Sequence, residues 1–190
     1  MRCLLIALLI VFYLFFFVRA FLISRKLGKN IKGKNPAVNL SVLFAGLSSA
    51  LFFVHLAFPK IKEYFYVFST PPIFRMIGVV LVAAGLVVSM IASLTLKNSW
   101  RIGIDDSEKT ELITSGIYRF SRNPYFISFN FVLIGMLFYF PTPVLMATVL
   151  ITVVLFHVLI VKEEKYLTEK HGDRYLKYKN GVKRYIPFFI

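Results

Sequence analysis

The chain has few of the residues on which secreted frameworks, metal sites and nucleotide-binding folds depend. One of its 190 residues is cysteine, Cys3, which excludes a disulfide framework and a thiol-based metal site. The three histidines, His55, His157 and His171, are scattered without ligand spacing, so no metal is expected. Neither a Walker sequence nor a Rossmann glycine fingerprint occurs. We expect Cys3 to be chemically inert.

Charged residues are also scarce, at 17% of the chain, whereas 58% of the residues are hydrophobic and the mean hydropathy is +0.73. The apolar residues form long blocks, and a bilayer core of about 30 Å requires about 20 such residues in a helix. The sequence therefore predicts a single all-α integral membrane domain. Its five candidate spans lie at 3–23, 37–59, 73–96, 124–140 and 142–161.

Acidic residues number only 9 against 23 lysines and arginines, which gives a net charge of +14. Of the 23 cations, 18 lie in the segments 24–36, 97–123 and 162–190, together with eight of the nine acids. The positive-inside rule then places these segments in the cytoplasm, with the N-terminus outside and the C-terminus inside. This mixed charge argues against nucleic-acid binding and favours contact with anionic lipid headgroups.

The polar part of the chain follows the first three spans, so we divide the domain into residues 1–96 and a catalytic part, 97–190. The loop 97–123 carries enough apolar side chains to fold back onto the protein. The fifth span is predicted to continue as a helix to Gly172, and a short amphipathic helix is predicted after it.

The stretch SGIYRFSRNPYF, residues 115–126, places polar side chains directly before the fourth span. Asn123 followed by Pro124 is typical of a helix start, with an N-cap side chain and proline at the first position. A helix start also suits an anion, and Arg122 adds a fork for a carboxylate or phosphate. The structural alternative is a helix cap beside an interfacial anchor.

Glu163 and Glu164 directly follow the apolar fifth span, where acids are costly unless they are solvated or paired. Neighbouring helix positions differ by about 100°, so one glutamate can face inward while the other meets Lys162, Lys165 or water. The fourth and fifth spans form a hairpin, so the Arg122 site and this pair are predicted to be neighbours. A pocket of this kind would suit an amphoteric molecule.

The sequence from TELITSGIYRFSRNPYF to EEKYLTEKHGDRYLKYKNGVKRYIP resembles the isoprenylcysteine carboxyl methyltransferase and phospholipid methyltransferase superfamily. The resemblance covers residues 96–188 and implies S-adenosylmethionine as the methyl donor, bound on the cytoplasmic side. Our candidate catalytic residues are Arg122, Asn123 and Glu163, and our candidate substrate contacts are Arg122, Glu164 and Arg184. The implied cofactor contacts are Thr110, Glu111, Leu112, Ile113, Tyr118, Asn123, Pro124, Tyr125, Phe126 and Glu163.

The chain departs from the family pattern at four positions. Asn123 replaces the motif histidine, Phe126 its tyrosine and Ser128 its glycine, while Leu159 stands where isoprenylcysteine enzymes carry an arginine. An asparagine can still form hydrogen bonds but cannot transfer a proton as histidine does. The departure at Leu159 leaves recognition of a prenylcysteine carboxylate to Arg122 or Arg184.

The first hypothesis is therefore methylation of a lipidic acceptor, with a carboxylate such as that of an isoprenylcysteine favoured over a phospholipid amine. A carboxylate needs no base, whereas an amine must first lose a proton. An NADPH-dependent membrane reductase on a related scaffold and a non-catalytic module that recruits a partner are the alternatives. The expected partners are the bilayer and a lipidic or prenylated acceptor.

Overall fold

In the computed structural model of the protein, six α-helices make up most of the part of the chain that the structure describes. Their bounds are Arg2–Leu27 (α1), Pro36–Ala57 (α2), Pro72–Leu96 (α3), Pro124–Tyr139 (α4), Pro143–His171 (α5) and Asp173–Gly181 (α6). The described residues are 1–28, 36–58, 60, 66–102 and 111–185, without the side chain of Asn98.

The predicted membrane spans are confirmed as helices. Four of them, α1, α2, α3 and α5, are long and apolar enough to cross a bilayer. The fourth span, α4, has 16 residues and measures about 24 Å, which agrees with its predicted shortness. Proline occupies the first turn of α3, α4 and α5. Residues of the first turn donate no hydrogen bond within the helix, so a proline there, which lacks the N–H, removes none.

The tail is also helical, as predicted. Helix α5 runs for 29 residues, about 43 Å, and so extends beyond a 30 Å hydrocarbon core. It ends at His171, and Gly172 makes the turn with a φ of +51°, a conformation that favours glycine. The short helix α6 follows at once and places Tyr175 in the interior.

Helices α3 and α4 form the closest pair, because glycines allow their backbones to touch. A Cβ atom added to Gly78 would lie 2.6 Å from the carbonyl oxygen of Gly135, and one added to Gly85 would lie 2.7 Å from that of Ser128. Small residues at such a crossing are typical of membrane helices. Helix α1 packs on α3, while α2 packs on α5 and α4, so the α3–α4 pair lies at the centre of the bundle.

Replacing Gly135 with alanine is expected to lower the free energy of unfolding by about 1–3 kcal/mol, since the added methyl group overpacks the crossing. Its Cβ would lie 2.7 Å from the Gly78 carbonyl oxygen, which belongs to the helix backbone and cannot rotate away. Gly46→Ala is the matched control, since a Cβ there meets no atom within 4 Å. Thermal unfolding in detergent should leave this control unchanged, and equal midpoints for the two variants would contradict the close crossing.

Two side-chain hydrogen bonds connect helices α1 and α2. The Tyr13 hydroxyl is hydrogen-bonded to Ser49, and the Arg2 guanidinium donates to the Leu56 carbonyl. The Arg2 contact lies at the start of α1 and the end of α2, and the Tyr13 contact lies near the middle of both helices. At the other end, Phe17 and Val42 are exposed on the apolar surface of the bundle.

Candidate active site

A cavity of about 280 Å³ lies at the end of the bundle where α1 and α3 end and α2 and α4 begin. We call this the cavity end. Most of the site residues predicted from the sequence line this cavity: Glu111, Leu112, Ile113, Tyr118, Arg122, Asn123, Tyr125, Phe126, Glu163 and Glu164. Pro124 is buried as the first residue of α4, Arg184 lies behind Glu164, and Thr110 lies outside the described residues.

Asn123 stands at the N-cap position of α4, but its side chain makes no capping bond. The expected cap is wrong in this respect, because the side-chain amide is used elsewhere. Its Nδ2 donates to the carbonyl oxygen of Arg184 at 3.1 Å, and Ser121 Oγ donates to the same oxygen at 3.1 Å. Asn123 is only 6% exposed, so the cavity wall holds this amide in a defined place.

Arg122 is bound by protein groups on several sides. Its Nε and Nη2 donate to Glu164 Oε1 at 3.0 and 2.7 Å. Its Nη1 donates to the Lys179 carbonyl at 2.9 Å and to the Val182 carbonyl, which holds the last turn of α6. The guanidinium thus meets a carboxylate, as its fork geometry favours. That carboxylate belongs to the chain itself.

The two adjacent glutamates have different surroundings. Glu164 is 4% exposed and lies between Arg122 and Arg184, with Arg184 Nε and Nη2 at 3.0 and 2.8 Å from its two oxygens. The expectation that the outward glutamate meets Lys162, Lys165 or water is therefore wrong. These hydrogen bonds raise the pKa of Arg184 above its ordinary value. Glu163 is half-buried and lines the cavity, and it has no hydrogen bond or ion pair with the described residues.

Three tyrosines, Tyr118, Tyr175 and Tyr178, line the cavity on its tail side. Tyr178 donates its hydroxyl proton to the Tyr118 carbonyl at 2.6 Å, which ties α6 to the turn Gly116–Arg119. Burial raises the pKa of Tyr118 well above its usual range, and the Glu163 carboxylate adds to this effect. Burial likewise raises the pKa of Tyr175 and Tyr178. All three phenols therefore stay protonated at neutral pH.

Sequence reasoning did not assign Trp100, Tyr175 and Tyr178 to the site, although all three line the cavity. Trp100 is fully buried, with its ring edge-on to Phe16 at 5.8 Å and to Tyr125 at 5.6 Å. The apolar residues of the 97–123 loop were a signal for Trp100. The spacing of Tyr175 and Tyr178, three residues apart after Gly172, was a signal for the tyrosines.

Arg19 of α1 fixes the turn that carries Trp100. Its Nη2 donates to the carbonyls of Ser93 and Lys97 at 3.2 and 3.1 Å, and its Nε donates to Ser93 Oγ at 3.1 Å. These carbonyls belong to the end of α3, where a cation is favourable because the helix dipole is negative there. The charge of Arg19 within the first span thus has a structural use beside the cavity.

Taken together, the fold and the site define a helical membrane protein with a ligand-sized cavity of mixed polarity at one end of its bundle. Residues 73–174 match the model of the phospholipid methyltransferase family. The chain belongs to this family.

Curated relatives agree with this assignment. Probable protein-S-isoprenylcysteine O-methyltransferases of Oryza sativa subsp. indica and japonica are each 33% identical over 140 residues, covering 70% of this chain and 68% of the relative. The protein-S-isoprenylcysteine O-methyltransferase of Saccharomyces cerevisiae is 31% identical over 140 residues, covering 69% and 56%. The predicted superfamily is thereby confirmed.

The fold resembles a solved structure of the eukaryotic intramembrane Ras methyltransferase, isoprenylcysteine carboxyl methyltransferase. The TM-score is 0.64 at 22% identity, over 94% of this chain. The chain spans 64% of the length of that protein. This likeness concerns the fold, and it confirms the all-helical membrane architecture expected from the sequence.

Proposed function

We propose that the protein is a membrane methyltransferase that uses S-adenosylmethionine to methylate a lipidic acceptor. Carboxyl O-methylation of an isoprenylcysteine-like molecule is the first candidate reaction. The observation that carries the proposal is a single cavity that combines the polar groups of Asn123 and Glu163 with an apolar opening towards the lipid-facing surface. One part suits a charged cofactor and the other a hydrocarbon chain.

The residues of the polar part fit this cofactor. Its sulfonium and ammonium groups are cations, and Glu163 offers a carboxylate that is engaged by no other described residue. A carboxylate taken partly out of water is costly unless a cation meets it. The cavity volume of about 280 Å³ is close to the lower end of the range typical of small-molecule sites, about 300 Å³. Glu163, Asn123 and Tyr118 are the side chains that we expect to hold the cofactor.

When bound, S-adenosylmethionine supplies an electrophilic methyl group on sulfur. The chain then has to align the acceptor behind that methyl group and exclude water. The tyrosine phenols are protonated, so they can orient a ligand but cannot remove a proton. A carboxylate acceptor is already ionised at neutral pH and needs no base, which is why we place it first. Arg101, which also lines the cavity, is the cation that we assign to such a carboxylate.

The lipid chain is proposed to enter between α1 and α2. The cavity wall there consists of Phe16 and Phe17 on α1 and of small or apolar residues on α2, including Ser41, Val42 and Gly46. Phe17 is 65% and Val42 48% exposed, so the wall reaches the lipid-facing surface. The Tyr13–Ser49 bond closes the gap towards the other membrane face.

The cavity end is proposed to face the cytoplasm, with the N-terminus outside. The loops at this end belong to the segments that hold 18 of the 23 lysines and arginines. Such an excess attracts the anionic lipids of the cytoplasmic leaflet.

Methylation of a phospholipid amine is the second candidate. One observation favours it: Arg122 and Arg184, which we expected to bind a carboxylate acceptor, are both held by Glu164. The lining also contains Glu111 and Glu163, which are compatible with a cationic acceptor. The reductase alternative predicts instead that NADPH, and not the methyl donor, raises the melting temperature.

Incubation of the purified protein with methyl-labelled S-adenosylmethionine and a total membrane extract tests the proposal. The label is expected in a lipid-soluble product, as an alkali-labile ester for a carboxylate and as an alkali-stable amine for a phospholipid. Transfer of no label to any lipid, together with no binding of S-adenosylhomocysteine in calorimetry, would contradict the proposed function.

Blocking the opening between α1 and α2 is expected to lower activity with the acceptor and to leave the affinity for the cofactor unchanged. Gly46→Trp places a large ring where a Cβ meets no atom within 4 Å, so the ring has room to fill the entrance. We expect kcat/KM for a long-chain acceptor to fall about tenfold, with unchanged affinity for S-adenosylhomocysteine. Leu43→Trp is the control, because Leu43 is on the same helix, 61% exposed and outside the cavity lining. Equal losses in both variants would rule out this entrance.

A further inference from the structure

The side-chain amide of Asn123 is held in one orientation. Its Nδ2 lies 3.1 Å from the carbonyl oxygen of Arg184, and only the NH₂ end of an amide can face a carbonyl. The backbone N–H of Asn123 donates to Ser121 Oγ at 3.1 Å, which anchors the residue from a second side. The other end of the amide, Oδ1, accepts no hydrogen bond from the described residues.

The carbonyl that sets this orientation is itself well fixed. The guanidinium of Arg184 forms two bonds with the buried Glu164 carboxylate. One residue earlier, the Lys183 carbonyl accepts from the Arg122 backbone N–H at 2.9 Å. The segment 182–184 therefore lies along residues 121–123 and cannot easily rotate its carbonyl away from Asn123.

Asn123 and Glu163 line the same cavity, and Asn123 Oδ1 and the Glu163 carboxylate are hydrogen-bond acceptors only. The complementary ligand group is an N–H donor, and an ammonium group satisfies both acceptors and the charge of Glu163. An ammonium occurs in S-adenosylmethionine and also in an amine acceptor, so two ligands could supply it.

We propose that the Arg184 carbonyl orients the Asn123 amide so that Oδ1 and the Glu163 carboxylate together bind a ligand ammonium, which makes Arg184 a positioning residue. This inference rests on the proposed function. It also explains how asparagine can stand where the family motif has histidine. A neutral imidazole that donates one N–H to the same carbonyl would likewise turn an acceptor towards the ligand.

Calorimetry on the full chain in detergent micelles, with ligands that have and lack the N–H donors, tests this arrangement. The cofactor arm uses S-adenosylhomocysteine and its deamino analogue. The amine arm uses dodecylamine and dodecyltrimethylammonium, which has no N–H. One of these two arms contains the ligand whose ammonium binds in the cavity. In that arm, Asn123→Leu is expected to weaken binding of the ligand with N–H donors about tenfold and binding of the ligand without them by less than twofold. Asn123→His should stay within about threefold of the unchanged chain.

The role of Arg184 is tested in the same assay with Arg184→Met, which removes its bonds to Glu164. A positioning role predicts a loss for the N–H ligand alone, and no further loss when Arg184→Met is added to Asn123→Leu. A merely structural role would weaken all ligands alike. Lys183→Met is the matched control, because Lys183 is exposed and contributes its backbone carbonyl to Arg122.

Two results would overturn the inference: equal weakening of ligands with and without N–H, or additive losses in the double variant. If Asn123→Leu does not fold, a loss of N–H ligand affinity in Asn123→His beyond tenfold decides against it. Failure of the unchanged chain to bind S-adenosylhomocysteine would instead contradict the proposed function, and the amine arm would still decide the orientation of Asn123.

Discussion

Replacing Glu164 with alanine is expected to destabilise the folded protein by about 3–5 kcal/mol, the cost of removing one partner from a buried ion pair. The side chains of Glu164 and Arg122 are 5% and 8% exposed, so the loss of the carboxylate leaves the Arg122 guanidinium buried without its counter-charge. Arg184 loses its partner at the same time. Because this network ties residues 121–123 to residues 182–184, we expect α6 and the tail to separate from the cavity.

Unfolding by SDS in mixed micelles measures this effect against Glu169→Ala. Glu169 lies one turn further along α5, is 63% exposed and meets Lys165 at 3.9 Å. Exposed pairs of this kind contribute at most about 1 kcal/mol, so the control should unfold close to the unchanged chain. Equal unfolding midpoints for the two variants would show that the Glu164 network is accessible to water in solution.

The helical architecture could be predicted from the sequence, because the length of each apolar run decides whether it spans a bilayer. Spans of 16 to 29 residues are local features, and proline at the start of α3, α4 and α5 marked their first turns. The small residues Gly78 and Gly85 of α3 are likewise a local feature, and such residues are typical of a close helix crossing. Their partners on α4, Gly135 and Ser128, can be identified only once α3 and α4 are known to pack together.

Most of the predicted site residues line one cavity, whereas their contacts were predicted less well. Asn123 and Glu163 were expected at one place because consecutive antiparallel helices bring their ends together. The partners of Glu164 could not be read from the sequence, since Arg122 is 42 and Arg184 20 residues away. Only the return of the tail along residues 121–123 brings these charges together. A local pattern suggested lysines on the same helix instead.

The positions of the two arginines explain why the two neighbouring glutamates have different surroundings. The tail supplies Arg184 on the side of Glu164, and the turn before α4 supplies Arg122 on that side too. Glu163, about 100° round the helix from Glu164, lines the cavity and forms no ion pair with a described residue. A carboxylate in this position lowers stability in the absence of a ligand, and such unfavourable groups are common at functional sites. The pair therefore separates the structural charge of Glu164 from the charge of Glu163, which we propose for ligand binding.

Replacing Glu163 with glutamine should weaken binding of S-adenosylhomocysteine by about 30-fold or more. Removing one member of a buried charge pair costs about 2 kcal/mol or more, and each 1.4 kcal/mol is a factor of ten in affinity. The amide keeps the size of the side chain and loses the charge that we propose for the ligand ammonium. Because the carboxylate forms no ion pair with any described residue, the folded state should be as stable as before or slightly more stable.

Measuring both ligand affinity and stability distinguishes the roles of the two glutamates, because the expected effects of the two substitutions differ. Glu163→Gln should lose ligand affinity at an unchanged or higher unfolding midpoint, whereas Glu164→Gln should lower the midpoint because both arginines lose their counter-charge. Calorimetry and unfolding on the same preparations give both quantities. Unchanged affinity in Glu163→Gln would mean that the ligand cation is held elsewhere, and the carboxylate of Glu111 on the same cavity wall would then be the next to test.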